Sequence, residues 1–182
     1  MDLSLKGMRA LVCGSSQGIG KEIAIELANE GVEVLLIARN EEKLNSVLNE
    51  LSKKNNQNHS YIVADFENES DLKNKIEKFT SDNKIKIDIL INNSGGPPPG
   101  KITDAKISDF EKYMKMHLHC SHLLSQLFLP NMKKNRYGRI INIISISVKS
   151  PINNLGVSNT VRWAMASWAK TCLLYTSDAA DD

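Results

Sequence analysis

Residues 9–31 read RALVCGSSQGIGKEIAIELANEG, and the glycines in their middle decide the fold. Arg9–Gly14 is a short apolar run closed by glycine, the pattern of a buried strand. Gly20–Gly31 carries a helical period: Ile19, Ile23 and Leu27 fall at i, i+4 and i+8, and Gly31 stands where a C-terminal cap belongs. Between strand and helix, Gly14, Gly18 and Gly20 are spaced G-x-x-x-G-x-G. The first glycine permits a tight turn, the second lets a pyrophosphate approach the backbone, and the third lets helix and strand pack closely. Free N–H groups and the positive dipole end of the helix then face the phosphates. A glycine-rich turn alone also fits a plain structural turn, but the strand–turn–helix context matches dinucleotide binding. Gly14, Ser15, Ser16, Gly18, Ile19 and Gly20 are the expected contacts.

The same alternation continues outward. VEVLLIA (residues 32–38), YIVADF (61–66), IDILINNSG (87–95) and GRIINIIS (138–145) read as strands. NEEKLNSVLNELSKK, ESDLKNKIEKFTSD, a long region from about Ile107 to Lys134, and the segment from about Ser158 onward read as helices. Continuous apolar strands alternating with helices predict a parallel sheet covered on both faces. That is a Rossmann-type, doubly wound α/β fold in three layers, α/β/α, and such sheets bind ligands beyond the carboxyl ends of their strands. At the end of the second strand, LLIARNEEKL has Arg39 where NAD-binding versions usually carry an acid. A guanidinium matches a 2′-phosphate in shape and charge, so Arg39, with Asn40 beside it, favours NADP over NAD; a solvated surface arginine is the plainer alternative.

CGSSQGIG, NNSG (Asn92–Gly95) and GRIINIIS followed by a helix together resemble the short-chain dehydrogenase/reductase family, with members labelled 3-oxoacyl-acyl-carrier-protein reductase the nearest in look. The likeness runs from about Leu5 to Thr171. It implies that Asp65, with Phe66 next to it, lies at the adenine, and that Asn92, Asn93 and Gly95 line the cofactor and brace the sheet. It further implies that Ser145 holds the substrate carbonyl. Cys13 replaces the family's threonine and Ser94 its alanine.

The resemblance breaks where chemistry is expected. Ser158 occupies the place of the family's acid tyrosine, Arg162 that of its lysine, and His117 that of its helix asparagine. Carbonyl reduction needs a hydride and a proton; a serine hydroxyl is a far weaker acid than an activated tyrosine, and an arginine does not titrate near neutrality. Arg162 can still place positive charge near a developing alkoxide or hold an acidic group. Tyr61, Tyr113, Tyr137 and Tyr175 do not fall at the site, which leaves His117 as its one near-neutral titratable group, relay or structural. HLHCSH (His117–His122) suggests metal, but on a helix its side chains spread over several faces, so no metal site is expected. GGPPPGK (Gly95–Lys101) is a stiffened loop beside the expected pocket, either a turn or a ligand contact.

Composition sets the outer limits. With 23 basic and 21 acidic residues the net charge is +2, which gives no indication of a nucleic-acid or membrane surface. The N-terminal MDLSLKGMRALV lacks a signal-peptide core, and three scattered cysteines imply no disulfide framework, so a cytoplasmic protein is expected. Residues 1–171 read as the N-terminal part of one NAD(P)-binding domain. Residues 172–182, CLLYTSDAADD, resemble translated sequencing-adapter rather than natural chain, with a natural acidic tail as the alternative. The fold is then incomplete at its C-terminus, and the 182-residue chain is expected to be poorly stable and inactive alone. The expected function is NADP-dependent reduction of a carbonyl, 3-oxoacyl-type or a similar ketone, or oxidation of the matching secondary alcohol. The alternative is a nucleotide-binding sensor or partner subunit without turnover. Its partners are a small-molecule substrate and, by resemblance, a second copy of the full-length chain.

Overall fold

The computed structural model describes residues 3–176. Its five strands, β1 (Arg9–Cys13), β2 (Glu33–Ala38), β3 (Ser60–Val63), β4 (Ile89–Asn92) and β5 (Arg139–Asn142), form one sheet in the order β3-β2-β1-β4-β5. Every pairing is parallel. The helices are α1 (Gly18–Asn29), α2 (Glu41–Glu50), α3 (Glu69–Asp82), α4 (Ile107–Met114), α5 (Cys120–Lys134) and α6 (Gly156–Thr176).

The central strand shows how the middle of the sheet is covered on both faces. Ala10, Leu11, Val12 and Cys13 are all fully buried. Leu11 and Cys13 pack into one apolar cluster with Leu72 and Ile76 of α3 and Leu124 and Phe128 of α5. Ala10 and Val12 pack into the opposite cluster with Ala24 and Ala28 of α1 and Leu44 and Val47 of α2. Successive side chains point to opposite faces, so a strand covered on both sides needs a continuous apolar run. The result is the expected three-layer, doubly wound fold. Its chain order reverses between β1 and β4, so the crevice at their carboxyl ends is the place where such sheets hold ligands.

One expectation needs correcting. The buried stripe of α1 is Gly20, Ala24 and Ala28, whereas Ile19 is 61% exposed and Ile23 and Leu27 are only partly covered. The helix lies so close to β1 that only small residues fit on the contact line, and the larger side chains flank it. At the other end of the chain, α6 runs unbroken to Thr176, through the first five residues of the expected non-native tail. Nothing in Cys172–Thr176 breaks a helix, and Thr176 Oγ1 donates to the Cys172 carbonyl one turn back. Residues 177–182 of the expected non-native tail lie outside the described residues.

β5 is an edge strand, with Ile141 47% exposed. A groove of about 700 Å3 runs along that edge between α5 and α6, past Met132, Gly138, Ile140 and Tyr175. It flanks the start of β5 and the end of α6, away from the switch-point crevice.

Candidate active site

The crevice begins at the turn after β1. Gly14 and Gly18 both adopt left-handed backbone, with φ of 59° and 57°. At Gly20, φ is ordinary and the demand is space: a Cβ there would lie 2.3 Å from the Gly14 carbonyl oxygen. By contrast, nothing lies within 4 Å of a Cβ placed on Gly18 or Gly95, so both open onto the crevice. Asn93, following β4, donates from Nδ2 to the carbonyls of Cys13 (3.2 Å) and Gly14 (3.3 Å) and so fixes the turn to the neighbouring strand. Ile19 projects into solvent at the start of α1 and Ser16 is half-buried.

Ser15 departs from the sequence reading. It is fully buried, and its hydroxyl accepts from Ile37 N–H (2.9 Å) and donates to Ile37 C=O (3.4 Å). Its backbone N–H also donates to that carbonyl. Ser15 ties the turn to β2 rather than facing the crevice.

The far rim carries the expected selector. Arg39, mostly in solvent, lies 3.9 Å from Asp65 and 3.7 Å from Glu67. Glu67 also pairs with Lys112 of α4 at 2.7 Å. Arg39 and Asp65 are thus neighbours, and the guanidinium is held by carboxylates that a bound phosphate would have to outcompete. Asn40 Oδ1 accepts from the Lys43 N–H as the N-cap of α2, which commits its oxygen to the helix. Lys43, which sequence reasoning passed over, donates to Gln17 Oε1 (2.7 Å) and so stands above the same rim. Phe66 is buried beneath it, with its carbonyl accepting from Cys120 Sγ.

At the opposite end, the segments after β4 and β5 neighbour α6 and the π turn, which carry the other expected catalytic residues. Ser145 follows β5 and caps the short turn Ile146–Val148, its hydroxyl oxygen accepting from the Ser147 N–H (3.1 Å). The hydroxyl proton remains free to donate outward. Arg162, from the second turn of α6, donates from Nη1 to the Ile143 carbonyl at 2.8 Å, two residues before Ser145. Its Nη2 lies 3.4 Å from the position of a Cβ on Gly96. Burial pulls its pKa below the ordinary arginine value. Ser158, one turn earlier on α6, is half-buried and makes no side-chain hydrogen bond among the described residues. Trp163 Nε1 clamps α6 to this loop by donating to the Ser147 carbonyl (2.8 Å).

His117 sits 4% exposed at the centre of a π turn, Lys115–His119, that separates α4 from α5. Turns of this kind often mark functional positions in helices. Its Nδ1 is 2.7 Å from Ser94 Oγ, while Nε2 is buried without a partner. Burial, and then the nearby Arg162 charge, push its pKa down to about 3, with the Gly95 backbone acting weakly the other way. The ring is therefore neutral at physiological pH, which removes the simplest version of His117 as an acid. Asn92 crosses to β5 by donating to Asn142 Oδ1 (2.8 Å). The Ser94–His117 and Asn92–Asn142 pairs join residues far apart in the chain, and no local spacing announces them.

The remaining motifs disperse. His119 pairs with Glu69 (2.8 Å), Cys120 bonds Phe66, and His122 meets Trp168, each on a different face. The proline loop is pinned to the start of α6, since Gly100 donates to Asn154 and Gly156 donates to Gly100. Tyr61 bonds Glu41 and Tyr137 stacks on Arg139, both outside the crevice. Among the described residues, no helix is long and apolar enough to cross a membrane.

This geometry has close counterparts. Over 154 residues the chain is 33% identical to the 7alpha-hydroxysteroid dehydrogenase of Escherichia coli K12, covering 85% of this chain and 59% of that enzyme. It is 35% identical over 144 residues to a 3-oxoacyl-acyl-carrier-protein reductase of Rickettsia felis, covering 79% of this chain and 56% of the relative. The L-sorbose reductase of Gluconobacter frateurii, solved with NADPH and L-sorbose, superposes with a TM-score of 0.88 at 26% identity, covering 96% of this chain and 66% of that one. The chain thus spans under two thirds of the length of these relatives. The short chain dehydrogenase model matches residues 8–175, nearly the whole described structure, and on that match the protein belongs to the short chain dehydrogenase family.

Proposed function

We propose that the protein is an NADP(H)-dependent oxidoreductase that reduces a carbonyl, 3-oxoacyl-type or a similar ketone, or oxidises the matching secondary alcohol. One observation supports the reading: the glycine turn follows β1, Arg39 follows β2 and Ser145 follows β5, all at the carboxyl ends of parallel strands, with Arg162 bonded to the Ile143 carbonyl just before Ser145. The residues fit a dinucleotide. Gly18 and Gly95 leave open space for its backbone, the α1 N-terminus faces the pyrophosphate, and Arg39 supplies charge for a 2′-phosphate. The L-sorbose reductase with NADPH bound supports the choice of nucleotide. Asp65 would take the adenine, and Asn92, Asn93 and Gly95 would flank the nicotinamide half.

When bound, the reduced nicotinamide supplies a hydride. Ser145 donates its free hydroxyl proton as a hydrogen bond to the substrate oxygen and orients the carbonyl. Arg162 places a fixed positive charge beside the oxygen as it becomes an alkoxide, an electrostatic contribution that needs no titration. The alkoxide takes its proton from water, and the Ser158 hydroxyl, which has no side-chain hydrogen bond among the described residues, is the group that would pass it. His117 acts by position, holding Ser94 in place.

A second reading rests on the missing tyrosine: the same fold binds the nucleotide without turning over. Oxidation of NADPH against a panel of ketones separates the two. Turnover that Ser145→Ala abolishes supports the enzyme; NADPH binding without turnover on any carbonyl supports the binding protein. By family resemblance, pairing of copies through α4–α5 and α6 is the expected assembly.

A further inference from the structure

Arg39 is a cation already in company. Its guanidinium lies 3.7 Å from Glu67 and 3.9 Å from Asp65, and Glu67 also takes Lys112 at 2.7 Å. Two cations and two carboxylates share this patch, and their charges cancel. A ribose phosphate carries a charge of about −1.5 to −2 at neutral pH. Against a patch that is already neutral it gains little net attraction, so a second source of positive charge is needed at this rim.

Lys43 supplies it. Its Nζ donates to Gln17 Oε1 at 2.7 Å, a neutral acceptor, and among the described residues no aspartate or glutamate pairs with it. Lys21, which also bridges α1 to α2, has Glu50 at 2.8 Å. Gln17 is the N-cap residue of α1, and its side chain makes no capping bond, so it is available to reach across. The register of the turn places these groups. Ser15 N–H donates to the Ile37 carbonyl, and Gln17 on the turn and Arg39 past β2 each lie two residues beyond that pair. Lys43, in the first turn of α2, bridges back from the β2 side to Gln17. Its backbone N–H is fixed by Asn40 Oδ1, while its side chain is exposed on a flexible four-carbon stem.

We propose that Lys43 takes the 2′-phosphate of NADP, and that Gln17 is the positioning residue that holds it at the turn until the nucleotide arrives. The ammonium exchanges a neutral amide oxygen for a phosphate oxygen, a charge-assisted bond about twice as strong. Arg39 adds the planar fork, and Lys43 adds the net charge that Asp65 and Glu67 take away from Arg39. NADH, whose ribose carries an uncharged hydroxyl at that place, gains nothing from Lys43, so this residue sets the preference between the nucleotides. The proposal rests on the NADP(H) reading of the site, and the test separates the two.

The test is calorimetry on the full-length protein with NADPH and NADH, and with adenosine 2′,5′-bisphosphate and 5′-AMP, which isolate the phosphate from the nicotinamide. Lys43→Met keeps the stem and removes the charge. It should weaken NADPH and the bisphosphate by about fivefold to tenfold, the loss of an exposed charge-assisted contact, with NADH, 5′-AMP and the melting temperature unchanged. Lys43→Arg should keep most of the wild-type affinity. Lys21→Gln removes a lysine whose charge Glu50 already balances, and should alter neither nucleotide. A Lys43→Met protein that binds NADPH as wild type does, or loses NADH in equal measure, overturns the proposal, as does equal weakening of NADPH in Lys21→Gln. A preference for NADPH that survives Lys43→Met but not Arg39→Gln overturns it too, and leaves the NADP(H) reading standing. Wild type that fails to bind NADPH overturns that reading and the proposal together.

Discussion

Substituting Gly20 by alanine tests how the glycine turn works. The new Cβ would sit 2.3 Å from the Gly14 carbonyl oxygen and 2.8 Å from Asn93 Nδ2, and contacts under 3.0 Å are essentially never seen. The backbone neighbour cannot swing aside, so α1 must retreat from β1 by roughly 0.7 Å, and overpacking of this kind costs about 1–3 kcal/mol. Alanine returns about 1 kcal/mol of helix propensity, leaving a net loss of about 1 kcal/mol and a melting temperature a few degrees lower. The larger effect is on the nucleotide. An N–H···O bond of about 2.9 Å stretched by that amount is no longer a hydrogen bond, and losing one charge-assisted bond to the pyrophosphate costs about 2 kcal/mol. NADPH affinity should therefore fall on the order of 30-fold in calorimetry. Gly18→Ala is the companion: nothing crowds its Cβ, so its cost in the free protein is only about 1 kcal/mol of left-handed strain, and its main effect is again on the nucleotide. A Gly20→Ala protein that binds NADPH and melts as wild type does would refute the reasoning.

Other expectations follow from single contacts. Asn93→Ala removes both bonds to the Cys13 and Gly14 carbonyls and should cost about 1–3 kcal/mol by denaturant unfolding; an unchanged midpoint would show that the turn does not depend on it. Arg39→Gln should weaken NADPH by no more than about tenfold, since the side chain is mostly in solvent, and leave NADH unchanged; equal effects on both nucleotides would remove Arg39 as the selector. His117, held at a pKa of about 3, should remain neutral by NMR titration down to about pH 4. Its folded pKa lies below the unfolded value near 6.5, so the unfolded chain binds the extra proton first. The stability it contributes is complete above about pH 6.5 and is lost as pH falls toward 3, up to about 5 kcal/mol in all. In His117→Asn that part of the acid sensitivity should vanish, and an unaltered pH–stability curve would contradict the assignment.

The strands and the glycine turn could be read in advance because their causes are local. A fully covered parallel strand must be apolar throughout, as residues 10–13 are, and a turn against a helix N-terminus needs glycines at fixed steps. What could not be read depends on how closely elements approach one another. The α1 stripe shifted to Gly20, Ala24 and Ala28 because helix and sheet pack almost backbone to backbone. Ser15 belongs with Ile37 because β2 lies beside the turn, a neighbour 22 residues away. The π turn that buries His117 leaves no mark in a 3.6-residue period, and its partner Ser94 comes from another strand end. Sequence named Ser145 and Arg162 one by one, but not that the Arg162 guanidinium donates to the Ile143 carbonyl two residues before Ser145, a contact between α6 and the end of β5.

Everything proposed for catalysis presupposes a pyridine nucleotide seated on the turn after β1. Parallel calorimetric titrations of the intact protein with NADPH and NADH measure that directly. One NADPH per chain, bound more tightly than NADH, is the predicted outcome; no heat of binding from either nucleotide would contradict it.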